Sequence, residues 1–415
     1  MKGIKGDTFA GHTVKPGDIA QVDLKVSETV THQPSRIPVT LVRGREDGPT
    51  LFVTGAIHGD EINGVAIVRR VLDALEPDAL RGNLIGVPVV NRFGFGNQDR
   101  YLPDRRDLNR FFPGDRSGSM ASRIADHLFR KVVQISDAGI DLHTAATGQS
   151  NLCHIRGDAD DAVVKELMKA FGTPILVNHN GPRGSLRRAA TESAVPTILF
   201  EAGEPSRFQH HVIEIGYEGV LRVMRHLGML DRRFPKPAFQ TIVRRSEWVR
   251  VDHGGLLDLT VEPGDLVQAK QRIGVIHDPF GRHVDEIHAT RSGVVLSTAT
   301  VPLSFPGNAV VHIGYLHKTL QRARRYVRED GDLGHVNWIK ATRRRKARKA
   351  KGTRKAVAGK TGAAVPQEAP KAKKAAGAKK RATKRTTTRR STPSAGKAAK
   401  PRTPRGPEGA GKEDA

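Results

Sequence analysis

His58 and Glu61 stand three residues apart in GAIHGDE, and His143 closes the run GIDLH. Two imidazoles and one carboxylate form a donor set for a catalytic zinc ion, with the fourth position left to water. A turn entering a helix lets His58 and Glu61 converge from one short segment, and His143 completes the set from a neighbouring strand. Glu201, in TILFEAGE, follows another apolar run. A carboxylate beside a metal-bound water can accept its proton and pass it to a leaving amine. The stretch RYLPDRRDLNRFFPG, residues 100–114, supplies Arg100, Arg105, Arg106, Asn109 and Arg110 without helical or strand periodicity. Guanidinium groups suit carboxylates because they donate two parallel hydrogen bonds to a planar anion. Leu108 and Phe111-Phe112 are expected to anchor that loop and turn Asn109 and Arg110 inward, whereas Arg105 and Arg106 read as a solvated basic loop.

These groups need strands to hold them. TLFVTGAI (50–57), LIGVPVV (84–90), AGIDL (138–142) and TILF (197–200) are short, wholly apolar runs, as expected of strands buried on both faces. His58, Asn91, His143 and Glu201 each follow one of them. In open α/β sheets, ligands bind at the carboxyl ends of the strands, so four such groups at four strand ends predict one crevice. Between the runs, Ile62, Val65, Ala66, Val68, Val71, Leu72 and Leu75 recur at helical spacing, as do Met120, Ile124, Leu128, Val132 and Ile135. Alternating strands and helices predict an α/β fold with a largely parallel sheet flanked by helices. The expected organisation is a β-rich lead-in over 1–45, a catalytic domain over 46–235, a small all-β domain over 236–318 and a charged connector over 319–340. A disordered tail over 341–415 completes it.

Most of the net charge of +26 belongs to that tail. Residues 341–415 hold 25 Lys and Arg against 4 Asp and Glu, leaving 44 against 39 in the preceding 340 residues. The folded part therefore has the charge balance of an ordinary soluble domain. One cysteine, Cys153, excludes an intramolecular disulfide and any multi-cysteine metal site. The N-terminal segment has no continuous apolar core of a signal peptide, and no run of about 18 apolar residues predicts a membrane span. A cytoplasmic protein is expected.

HGDE at 58–61, the 100–114 block with its DLNR, DLH at 141–143 and FEAG at 200–203 resemble the succinylglutamate desuccinylase/aspartoacylase family, relatives of the zinc carboxypeptidases. The order and spacing agree over about 50–230, and the β-rich segment that follows resembles the family's C-terminal domain. The resemblance implies a zinc-carboxypeptidase-like mixed sheet and one zinc ion held by His58, Glu61 and His143. It implies that Arg100 polarises the scissile carbonyl, Asn109 and Arg110 grip the substrate carboxylate, and Glu201 is the general base. The implied reaction is hydrolysis of the amide bond of a small N-acylated amino acid.

Two rival readings remain at this level: a carboxypeptidase acting on peptides with the same metal set, and a nucleic-acid-associated protein working through 341–415. That stretch has no aromatic residue, which fits sequence-independent contact with phosphates and disfavours base stacking. The segment GGLLDLTVEPGDLVQAKQRIGVI resembles a biotinyl or lipoyl carrier, but Lys270 lacks the Met-Lys or Asp-Lys context of an attachment lysine. It reads as a structural cap on the site.

Overall fold

The computed structural model describes residues 8–316, 319–330 and 333. The basic stretch 341–415 and residues 334–340 of the expected connector lie outside the described residues. A hairpin of β1 (Ile19–Glu28) and β2 (Pro34–Arg43) leads into β3 (Glu46–Gly55), α1 (Asn63–Asp73) and β4 (Arg81–Val87). Then follow α2 (Met120–Leu128), β5 (Ala138–His143), β6 (Gln149–Gly157), α3 (Ala162–Phe171) and β7 (Ile175–Asn178). The α/β part closes with α4 (Leu186–Glu192), β8 (Thr197–Gly203) and α5 (His210–His226).

Strands β4, β3, β5 and β8 lie side by side and parallel, in that spatial order. The hairpin extends one side antiparallel through β2, and β6 pairs antiparallel with β8 on the other. Each central strand contains a continuous apolar run because successive side chains enter different cores. Leu51 and Val53 of β3 pack with α1, α3 and α5, while Phe52 between them packs with α2 and α4 on the opposite face. The fold is a mixed α/β sheet flanked by helices, as the sequence predicts.

Beyond α5 the chain adds β9 (Thr241–Val243), β10 (Ser246–Arg250), β11 (Gly293–Ala299), β12 (Ala309–Tyr315) and a last helix, α6 (Leu320–Asp330). Strand β9 pairs with β7, and β11 pairs with β6 through Ser297 opposite Asn151. The main sheet therefore runs on without a break into the C-terminal β region. A separate four-stranded sheet of Gly255–Leu259, Arg272–His277, His283–His288 and Leu303–Ser304 sits beside it.

Two local expectations need correction. The apolar run 197–200 stops before Glu201, yet β8 continues to Gly203, because backbone pairing with β5 and β6 carries it past the last apolar residue. The helix expected over 120–135 is α-helical only to Leu128 and continues as a π-turn over Phe129–Val133.

Gly219 shows how tightly α5 is seated. A Cβ at this position would collide with the ring of Phe171, which is fully buried against Phe200 at a centroid distance of 5.0 Å. An exposed helical Gly→Ala change gains about 1 kcal/mol. Here overpacking reverses the sign, and Gly219→Ala is expected to lower stability by about 1–2 kcal/mol in urea titrations.

Candidate metal centre

The carboxyl ends of β3, β5 and β8 point into one crevice of about 240 Å³. Strand β3 ends at Gly55, and Ala56 adopts the left-handed backbone conformation, with φ of +48°, where the chain turns toward His58. A non-glycine residue held there stores strain, a feature that gathers at functional sites. Gly59 lies against the backbone of Gly94 and Phe95 so closely that no Cβ would fit. That contact holds the His58–Glu61 turn against the loop that carries Arg100.

Glu61 lies between the two histidines. His58 Nδ1 is 2.6 Å from Glu61 Oε1, and His143 Nδ1 is 2.8 Å from Oε2. All three side chains are buried, with donor atoms within 4.8 Å of one another. The Thr144 amide donates to Glu61 Oε2 at 3.0 Å. Each imidazole is backed by a second carboxylate through its other nitrogen: His58 Nε2 by Asp107 at 3.1 Å and His143 Nε2 by Asp141 at 2.9 Å. Asp141 in turn accepts from the Thr54 hydroxyl at 2.8 Å. Such backing lets each Nε2–H donate to a carboxylate and turns Nδ1 inward, an arrangement typical of metal-binding histidines.

The electrostatics show what the cluster lacks. Burial alone would push both imidazoles toward the neutral form. The carboxylates of Glu61 and Asp107 outweigh it at His58, and those of Asp141 and Glu61 do so at His143, so both are held above the usual histidine range. Glu61 and Asp107, though desolvated, are held well below the usual carboxylate range. The cluster demands positive charge, which protons supply in the metal-free protein and a divalent ion would supply in their place. Donor types, convergence and backing all fit zinc.

The other expected residues divide. Arg100 donates through Nη2 to Asp107 at 3.0 Å and keeps Nη1 within 3.2 Å of His58 Nδ1 and 3.3 Å of Glu61 Oε1. Arg105 and Arg106 are exposed, and Arg106 pairs with Asp104 at 2.7 Å. Asn109 is buried, but its oxygen accepts from the Leu186 amide at 2.8 Å, leaving only the amide nitrogen for a ligand. Arg110 lines the crevice half-exposed. Glu201 also lines it, accepting from Asn151 at 2.8 Å, with Arg156 3.7 Å away. Asn91 does not join them. Its side chain accepts from the Gly94 amide and donates to the Arg100 carbonyl, so it caps the short helix at 92–97.

Several lining residues carried no distinguishing signal in the sequence: Arg156 on β6, Arg187 at the start of α4, Trp248 on β10 and His312 on β12. Asp141 could have been found, because its i, i+2 spacing from His143 puts both side chains on one face of a strand. Arg187 is 4% exposed, donates Nη1 to the His179 carbonyl at 2.5 Å and has no partner for Nε among the described residues. Burial draws its pKa down to about 10.

His312 stacks flat on Trp248 at 4.6 Å. Burial, then Arg156 and His179, push its pKa down to about 3, so it stays neutral in the folded protein. The unfolded chain takes up this proton below about pH 6.5, and stability is therefore lost as pH falls from there toward 3. At pH 5 the loss from this residue amounts to about 2 kcal/mol. Urea unfolding at pH 7.5 and 5.0 should show that His312→Gln loses about that much less than the native protein. Equal losses would remove this assignment.

Residues 47–227 match the family model of the succinylglutamate desuccinylase/aspartoacylase catalytic domain. The chain is 30% identical over 273 residues to the N-alpha-acetyl-L-2,4-diaminobutyric acid deacetylase of Halomonas elongata, covering 62% of this chain and 80% of that protein. Among solved structures, the product-bound ectoine utilization protein EutE (DoeB) of Ruegeria pomeroyi superposes with a TM-score of 0.66 at 24% identity, over 72% of this chain and 97% of that one. A succinylglutamate desuccinylase/aspartoacylase from Rhodobacter sphaeroides gives 0.64 at 25% identity, over 71% and 94%. Fold, donor cluster and sequence thus agree, and the chain belongs to the succinylglutamate desuccinylase/aspartoacylase family.

Proposed function

We propose that this chain is a zinc-dependent hydrolase that cleaves the amide bond of a small N-acylated amino acid. The observation that carries the reading is the buried Glu61 carboxylate between two inward-facing Nδ1 atoms, in the same small crevice as Glu201. Residues 46–235 then form the hydrolytic domain, and 236–318 contributes Trp248 and His312 to the wall. His58, Glu61 and His143 hold one zinc ion, which when bound supplies a Lewis acid and lowers the pKa of a water toward about 7.

The chain's own groups do the rest. Glu201, anchored by Asn151, takes a proton from the attacking water and delivers it to the departing amine. Arg100, fixed through Asp107, keeps Nη1 beside the donor cluster, where it donates to the developing oxyanion. One such donor is worth on the order of 3–4 kcal/mol in the transition state. The Asn109 amide nitrogen and Arg110 hold the substrate carboxylate, which fixes the scissile bond against the base.

Two features narrow the substrate. The crevice is small and partly walled by the Trp248–His312 stack, which favours a compact N-acyl amino acid over a peptide. Its lining carries Arg100, Arg110, Arg156 and Arg187 against Glu61 and Glu201. That excess of cations favours a substrate with a second anionic group over the ammonium side chain of 2,4-diaminobutyrate. Glu201→Gln is the direct test. The variant should retain the metal content of the native protein and lose 10²–10⁴-fold in kcat on N-acyl amino acids, the range for a lost general acid–base. A Glu201→Gln protein that keeps both zinc and full turnover would eliminate Glu201 as the base.

A further inference from the structure

A second site lies outside the hydrolytic crevice and shares no lining residue with it. Between α3, the end of α5 and the segment 233–240 runs an open groove of about 830 Å³. Lys169, Arg222, Arg225, His226, Arg233 and Lys236 line it. The lining carboxylate is Glu166, which Lys169 already engages at 2.7 Å. Arg225, Arg233 and Lys236 are exposed and make no ion pair among the described residues. In the wall, Arg222 is 6% exposed and donates to the Pro235 carbonyl at 2.8 Å. Burial and the neighbouring Arg232 draw its pKa down to about 10, although Glu218 opposes them. So many cations beside so little negative charge repel one another, and an anionic ligand would relieve that repulsion.

We propose that this groove binds the phosphate backbone of duplex nucleic acid, independently of the hydrolytic site. Three observations favour that occupant. The groove is open and lined by long cationic side chains, which suits an extended polyanion. Phe234, its aromatic residue, already has the guanidinium groups of Arg222 at 5.1 Å and Arg232 at 4.7 Å over its ring, which compete with an unpaired base for stacking there. The basic surface also continues beyond the groove. Phe239, next to groove residue Gln240, stacks on Tyr326 of α6 at 5.3 Å, and α6 exposes Arg322, Arg325 and Arg328 at three-residue spacing. In sequence, α6 leads toward 341–415 with its 25 Lys and Arg.

The test uses the full-length protein and a mixed-sequence DNA duplex, with affinity measured by fluorescence anisotropy across a potassium chloride series. Each phosphate contact contributes about 0.9 to the slope of log affinity against log salt. The triple variant R225E/R233E/K236E should lose about 2–3 units of slope and at least tenfold in affinity at fixed salt. Acetylation footprinting of the native protein avoids any dependence on the variant's folding. Lys169 and Lys236 should become protected when duplex is added, while Lys15 stays reactive. An unchanged slope in the variant, or equal acetylation of Lys169 and Lys236 with and without duplex, would overturn the proposal.

Discussion

One buried carboxylate organises the crevice at the carboxyl ends of the central strands. Both oxygens of Glu61 are engaged by imidazole nitrogens, and one also accepts a backbone amide. Taking an ionised carboxylate out of water costs several kcal/mol unless opposite charge and hydrogen bonds offset it. Everything around Glu61 supplies that offset: His58 and His143 at its oxygens, Arg100 behind them, and Asp107 and Asp141 holding the imidazoles in orientation. The elements that bring these groups together are the ends of β3 and β5, which pair in register from Leu51 opposite Ala138 to Gly55 opposite Leu142. A one-residue slip of β5 would turn Asp141 and His143 to the other face.

That dependence explains which parts of the site were legible in the sequence. HGDE and DLH stand out because chemically active side chains interrupt runs that are otherwise wholly apolar. Such interruptions in a strand buried on both faces need a reason. The largely parallel character of the sheet was similarly visible as apolar runs separated by helical periodicity, whereas the spatial order of β4, β3, β5 and β8 comes from the fold alone. Glu201 was found for the same reason, although its strand proved to extend beyond it.

Other residues were hidden because their meaning arises only on folding. Arg156 sits on β6, whose sequence QSNLCHIRG lacks a wholly apolar run. Arg187 opens α4 beside Arg188, and nothing in the sequence separates the buried guanidinium from the one that pairs with Glu192. Trp248 and His312 reach the crevice because β11 pairs with β6 and β12 pairs with β11. No local pattern encodes that long-range pairing. Asn91 marks the opposite case. Its position after an apolar run suggested chemistry, whereas its side chain satisfies the first turn of a helix.

The charge of the chain resolves into separate features. The crevice at Glu61 concentrates cations beside the two carboxylates Glu61 and Glu201, the groove between α3 and α5 holds cations with almost no counter-charge, and most of the excess lies in 341–415. On the proposals above, the crevice would take a small anionic substrate and the groove a larger polyanion.

The measurement that bears most directly on the account is the metal content of the purified full-length protein, by mass spectrometry, beside His143→Ala and Glu61→Gln. The account predicts close to one zinc per native chain and almost none in either variant, with the native circular dichroism retained. Variants that keep the metal, or a native protein that hydrolyses N-acyl amino acids at full rate after chelation has stripped it, would contradict the assignment.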